Sequence, residues 1–176
     1  MKTHKTSLVG KSLDDFLDIC DIHNVDSYRA EQIFNWIYKN KINDFESFKN
    51  IPKSFLNLLK EQHTIHPLIF VRSTKSDSRL TNKFLFKTQS GALIESVLMK
   101  EESRTTLCLS TQVGCALDCK FCATAKMGFI DNLDSGEIVD QFLLISKMLS
   151  KPITNVVFMG MGEPFLNYSN VIKSAK

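Results

Sequence analysis

No stretch of this sequence is apolar for long enough to form a signal-peptide core or to approach the length of a membrane span, so a cytoplasmic chain is expected. Internal repeats and low-complexity tracts are also missing, which leaves ordinary globular organisation. The excess of one charge sign over the other is small. A net +3 with pI near 8.6 is compatible with a polyanionic partner but too small to argue for one. The even cysteine complement of a disulfide framework is absent too: there are five, four of them between Cys108 and Cys122, and tight clustering of an odd number points to metal or redox chemistry.

What is present suits a folded protein. Apolar residues make up 43% and charged residues 23% of 176 residues, enough for one domain or a small domain with part of another. The first third reads as three short amphipathic helices. Ser12 and Asp15 have capping-box spacing before Phe16, Leu17 and Ile19, and Cys20 in that pattern is expected to be a buried thiol. Asp26 or Ser27 is placed to cap a second helix carrying Ala30, Ile33, Phe34 and Ile37, and Pro52 suits the first turn of a third.

After His66-Pro67 the pattern becomes strand-like at 68–71, 84–87 and 92–99, the last two joined by the turn residues Gln89-Ser90-Gly91. Alternation puts Leu93, Glu95, Val97 and Met99 on one face, making Glu95 a carboxylate on an apolar face. From Arg104 the order is strand (105–110), cysteine-rich loop, helix (135–149), strand (155–159), glycine loop and a helix beginning at Asn170. That is a βαβ unit with a second helix starting, hence an α/β fold class. The expected domains are 1–66 (helical accessory), 67–103 (β-hairpin linker) and 104–176 (start of a core). Two parallel strands cannot cover their own faces, so the chain is expected to be cut short in mid-fold.

Cys115, Cys119 and Cys122 have the spacing C-x-x-x-C-x-x-C. Three thiolates on one loop can hold three irons of a cubane cluster and leave the fourth open to a substrate. Zinc is the rival, although a structural zinc site wants four ligands and only Cys108, inside the preceding strand, could be added. Three buried cysteines without a metal is the third reading. Forty residues on, a strand runs into Gly160-Met161-Gly162-Glu163-Pro164, where glycines allow close approach to a ligand and a carboxylate suits a cationic amino group. A plain tight turn ended by Pro164 is the alternative. Both loops follow the C-terminal ends of strands, where barrel enzymes place their chemistry.

Several segments, in order and spacing, resemble the radical S-adenosylmethionine superfamily and, within it, the RlmN family of dual-specificity adenine C2 methyltransferases of 23S ribosomal RNA and transfer RNA. They are Tyr28-Arg-Ala-Glu-Gln-Ile-Phe-Asn-Trp-Ile-Tyr38, Glu95-Ser-Val-Leu98, Arg104-Thr-Thr-Leu-Cys-Leu-Ser-Thr-Gln-Val-Gly-Cys115, Phe121-Cys-Ala-Thr124 and Val157-Phe-Met-Gly-Met-Gly-Glu-Pro164 with Asn167-Tyr168. The resemblance implies a partial (β/α)6 TIM-like barrel preceded by an RNA-binding helical domain. It implies a [4Fe-4S] cluster on Cys115, Cys119 and Cys122, S-adenosylmethionine held by Gly162 and Glu163, and Glu95 as proton acceptor at the adenine. Cys108 is implied as the thiol that resolves a methyl-cysteine intermediate and forms a disulfide with a cysteine beyond Lys176. Carbon 2 of adenine is electron-poor, which is why such a reaction needs a radical route supplied by the cofactor.

The implied partners are 23S rRNA, tRNA and an electron donor such as flavodoxin or ferredoxin, with the enzyme acting as a monomer. Without the later cysteine the chain is expected to be inactive alone. The alternatives are a Cfr-type methyltransferase acting at carbon 8 and, from another class, a zinc-stabilised RNA-binding module without catalysis. Asp77-Ser78-Arg79 and Asp131-Asn132-Leu133 depart from the family's usual residues at two loops.

Overall fold

Ser12 opens the first helix through a reciprocal cap: its hydroxyl accepts the Asp15 N–H at 3.2 Å, and the Asp15 carboxylate accepts the Ser12 N–H at 2.7 Å. The computed structural model describes residues 5–117 and 119–176; residues 1–4 of the basic N-terminus and Asp118 of the cysteine loop lie outside the described residues. The chain divides into two units, Met1–Pro67 and Leu68–Lys176.

In the first unit, α1 (Leu13–Ile22) buries Phe16, Ile19 and Cys20. Its successor α2 (Tyr28–Phe34) has no side-chain cap, so neither Asp26 nor Ser27 serves as expected, and it widens into a π-helical turn, Asn35–Lys39, that buries Ile37. Pro52 stands just before α3 (Lys53–Gln62) rather than inside its first turn. Short strands β1 (Thr6–Ser7) and β2 (His63–Thr64) pair in parallel and bring the unit's two ends together. The aromatic motif of residues 28–38 is absorbed into this packing. Arg29 lies 4.5 Å from the Tyr28 ring centroid and donates to the Asn50 carbonyl at 2.6 Å. Trp36 Nε1 donates to Asn50 Oδ1 at 2.6 Å, and the Tyr38 hydroxyl accepts the Gly10 N–H and donates to the Lys11 carbonyl, each at 2.8 Å.

The second unit is built on a five-stranded sheet of β3 (Ile69–Lys75), β4 (Thr81–Lys87), β5 (Leu93–Lys100), β6 (Thr105–Cys108) and β9 (Asn155–Val157), ordered β3-β4-β5-β6-β9. The pairs are antiparallel except β6–β9, whose parallel register matches Cys108 with Val157 and carries the expected βαβ crossover through α4 (Ser135–Lys147). A two-stranded ribbon, β7 (Gln112–Gly114) with β8 (Phe129–Asn132), brackets the cysteine loop, and α5 (Tyr168–Ala175) follows β9. Residues 67–103 thus supply three strands continuous with β6.

Burial decides which face of this sheet is the core. Phe84, Phe86, Ile94, Leu98 and Leu107 are buried in one cluster with Ile138 and Ile145 of α4. On β5 the core takes Ile94, Ser96 and Leu98, so Glu95 with Leu93, Val97 and Met99 occupies the opposite, more open face. Glu95 thus has the apolar neighbours expected for it, Leu93, Val97 and Met99, while α4 packs against the other face. Truncating the fully buried ring in Phe86→Ala is expected to destabilise the unit by about 3–5 kcal/mol, whereas Leu93→Ala on the open face should cost under about 1 kcal/mol, both measured by urea unfolding.

Candidate functional site

Both loops singled out in the sequence leave the same end of the parallel pair β6–β9, and β5 runs back past that end. The join between them is the segment Ser110-Thr111-Gln112, buried throughout. The Ser110 N–H donates to Gln141 Oε1 at 2.9 Å while Gln141 Nε2 donates to the Ser110 carbonyl at 2.9 Å. Ser96 Oγ donates to the same Gln141 oxygen at 2.8 Å. The Ser110 hydroxyl donates to the Glu95 carbonyl and accepts the Met161 N–H at 2.8 Å. One serine therefore ties the catalytic-candidate strand to the glycine loop.

The glycine loop is pinned further along. Thr111 and Gln112 N–H groups both donate to the Met161 carbonyl, at 2.8 and 3.2 Å. The Gln112 side chain accepts the Glu163 N–H at 2.9 Å and donates to Asn132 at 2.8 Å, and Asn167 Nδ2 donates to the carbonyls of Thr111 and Leu133 at 2.7 Å each. These contacts explain the glycines. A Cβ on Gly160 would stand 2.7 Å from the Leu109 oxygen, and one on Gly162, at φ +96°, 2.5 Å from the Gln112 side chain. The side on which each Cβ would stand is taken by Leu109, Ser110 and Gln112. Glu163 caps the short 3-10 turn Pro164–Asn167 by accepting the Phe165 N–H at 3.1 Å.

The cysteine loop begins where Gly114 passes Gly128 so closely that a Cβ would lie 1.8 Å from the Gly128 oxygen, and the Cys115 N–H donates to that oxygen at 3.1 Å. Cys115, Cys119 and Cys122 are half-buried free thiols; the Cys122 N–H donates to the Cys119 carbonyl at 2.9 Å, turning the loop between them. Backbone N–H groups of Ala125 and Thr124 lower the Cys122 thiol below its ordinary range, which favours thiolate. Among the described residues no three His, Cys, Asp or Glu side chains converge closely enough to hold a metal ion. Phe121, between Cys119 and Cys122, is 94% exposed.

Glu95 and Cys108 share the open face of the sheet, because Cys108 pairs with Val97 and Val97 follows Glu95 on that face. Glu95 is half-buried and pairs with Lys83 at 3.0 Å. The Cys108 thiol, by contrast, is buried, and burial raises it despite a hydrogen bond from the Met159 backbone. Cys20 lies in the first unit, buried and likewise raised by burial, in keeping with a core thiol.

Sequence reasoning quoted Ser110, Gln112 and Asn167 only within motifs, and it missed Gln141 altogether. The available signal was a glutamine on α4 between the buried Ile138 and Ile145. Glu137 was missed too. Burial raises its carboxyl to about 7, the backbone hydrogen bond from Asp134 opposes this, and the charges of Asp134, Asp131 and Asp140 add to it. The folded state then keeps a proton that the unfolded chain releases near 4.5, so stability should fall as pH rises from about 4.5 to about 7 and level off above. Urea unfolding across that range should show the slope, and Glu137→Gln, which retains capping-box chemistry, should flatten it.

A family model described as "Ribosomal RNA large subunit methyltransferase N-terminal domain" matches residues 6–65. A protein of Thermotoga neapolitana named "Probable dual-specificity RNA methyltransferase RlmN" is 44% identical over 170 residues, 97% of this chain and 50% of that protein. The "Dual-specificity RNA methyltransferase RlmN" of Desulfosudis oleivorans is 46% identical over 161 residues, 90% of this chain and 43% of that one. A crystal structure of a radical SAM methyltransferase from Sphaerobacter thermophilus superposes with TM-score 0.92 at 38% identity, covering 97% of this chain and 51% of that chain. The chain spans about half the length of the relatives it matches. Over the residues it contains, it belongs to the RlmN family.

Proposed function

We propose that the polypeptide containing this chain is a radical S-adenosylmethionine methyltransferase that methylates carbon 2 of adenine in 23S rRNA and tRNA, and that its second unit begins a partial (β/α)6 barrel. The observation that supports this reading best is the placing of the cysteine loop, the glycine loop, Glu95 and Cys108 at one end and one open face of a single sheet.

The donor set fits a [4Fe-4S] cluster. Cys115, Cys119 and Cys122 are unpaired, accessible thiols on one short loop, and thiolates are the ligands such clusters take. Among the described residues they are not gathered on one point, which suits a site that metal binding itself organises. When bound, the cluster would supply one electron to S-adenosylmethionine at its open iron. The chain's own residues do the rest. Gly162 and Glu163 present backbone and carboxylate toward the methionine end of the cofactor, on a loop held rigid by Ser110 and Gln112. Glu95, half-buried and ion-paired, is placed to accept a proton from the adenine ring. Burial keeps Cys108 protonated at neutral pH, so as resolving thiol it needs a base, and the carboxylate of Glu95 on the same face is the candidate.

Anaerobic reconstitution with iron and sulfide should give a brown chain, with Cys115→Ser, Cys119→Ser and Cys122→Ser each losing iron and Cys108→Ser retaining it. A colourless chain that binds zinc through the same cysteines would overturn the cluster. In a polypeptide extended to the family's length, RNA product analysis should place the methyl at carbon 2, and Glu95→Gln should abolish it; methylation at carbon 8 alone would overturn the assignment.

A further inference from the structure

Cations are unevenly placed in this chain. Over residues 1–67 nine Lys and Arg are matched by nine Asp and Glu. Strands β3 and β4 with their turn, residues 69–87, carry Arg72, Lys75, Arg79, Lys83 and Lys87 against Asp77 alone. Every residue of β3 is exposed. In the helical unit, moreover, Lys60 is engaged by Glu46 at 2.7 Å and Arg29 by Asn50, whereas among the described residues no ion pair holds Arg72 or Lys87.

A β-bulge aims one of these cations. Phe70 pairs with Phe86 and Arg72 with Leu85, leaving Val71 without a partner in the ladder. Had the register run on regularly through Val71, Arg72 would fall opposite Phe84, on the buried face; with the bulge, Arg72 joins Leu85 and Glu95 on the open one. Lys83 and Lys87, two residues to either side of Leu85, share that face. Neighbouring strands lie about 4.8 Å apart, so Arg72 stands two strands, roughly 10 Å, from Glu95, about the reach of one nucleotide from phosphate to base edge. In the next row Ile69, Lys87 and Leu93 lie abreast, with Ile69 63% and Leu93 47% exposed. An apolar strip beside cations suits an unstacked base better than it suits a solvated surface.

We propose that this open face of β3, β4 and β5 is the RNA-binding surface of the second unit: Arg72 and Lys87 hold backbone phosphates on either side of an adenine presented to Glu95, and Ile69 and Leu93 contact the neighbouring base. The inference rests on the methyltransferase reading for the role of Glu95. It moves the electrostatic hold on RNA from the helical unit, whose charges cancel, to the sheet.

Binding of an unmodified tRNA transcript by the whole chain, measured at several salt concentrations, tests it. The double variant Arg72→Ser/Lys87→Ser should bind about ten-fold more weakly near 0.1 M salt, with the slope of log K against log salt shallower by about 1.5. Lys39→Ser/Lys53→Ser, at exposed positions of the helical unit, should stay within about two-fold of the parent. Unchanged affinity and slope in the first variant, or a loss confined to the second, overturns the proposal. So does a parent chain that binds no tRNA or prefers polyglutamate. Cluster reconstitution involves none of these four residues, so it judges the methyltransferase reading separately.

Discussion

The exchange of two hydrogen bonds between Ser110 and the Gln141 side chain, sealed from water, is the contact on which the rest of the site depends. A buried amide left without partners costs about 1–3 kcal/mol, so strand, helix and loop are held to the one arrangement that satisfies all of them. Gln141 reaches β5 through Ser96 and its own helix through the Glu137 carbonyl at 3.2 Å. Ser110 reaches Glu95 and Met161. The position of the glycine loop is thereby referred to α4 and not to its own flexible backbone.

That arrangement sorts the polar groups by environment. Glu95 is left half-open with Lys83 at 3.0 Å, while Cys108, paired with Val97 on the neighbouring strand, is buried and its thiol is pushed up by that burial. Cys122 sits among backbone N–H groups that favour its thiolate. An ion-paired carboxylate, a buried thiol and a thiol lowered by backbone N–H groups therefore lie at one end of a sheet in three different environments.

Much of this was legible locally. Both capping boxes are set by residues three apart, Ser12 with Asp15 and Asp134 with Glu137, and only the first was read. The βαβ order, the 84–87/92–99 hairpin and the buried Cys20 followed from periodicity. What escaped depended on partners distant in sequence. The alternation of β5 is apolar on both faces, and nothing within the strand says which face a helix 40 residues later will cover. Nothing in the local sequence names the neighbours that leave no room for a Cβ at Gly160 and Gly162, which are Leu109, Ser110 and Gln112.

By itself, the sequence determined the family, the spacing of the three clustered cysteines and the order of elements, because spacing, caps and alternation are short-range properties of a chain. Tertiary structure alone decided which face of the sheet is open, where Arg72 points and what holds the glycine loop. Those follow from a single-residue bulge in β3 and a buried network spanning Ser96 to Met161. Burial is a property of whatever packs above a residue, and no window of sequence around that residue contains it.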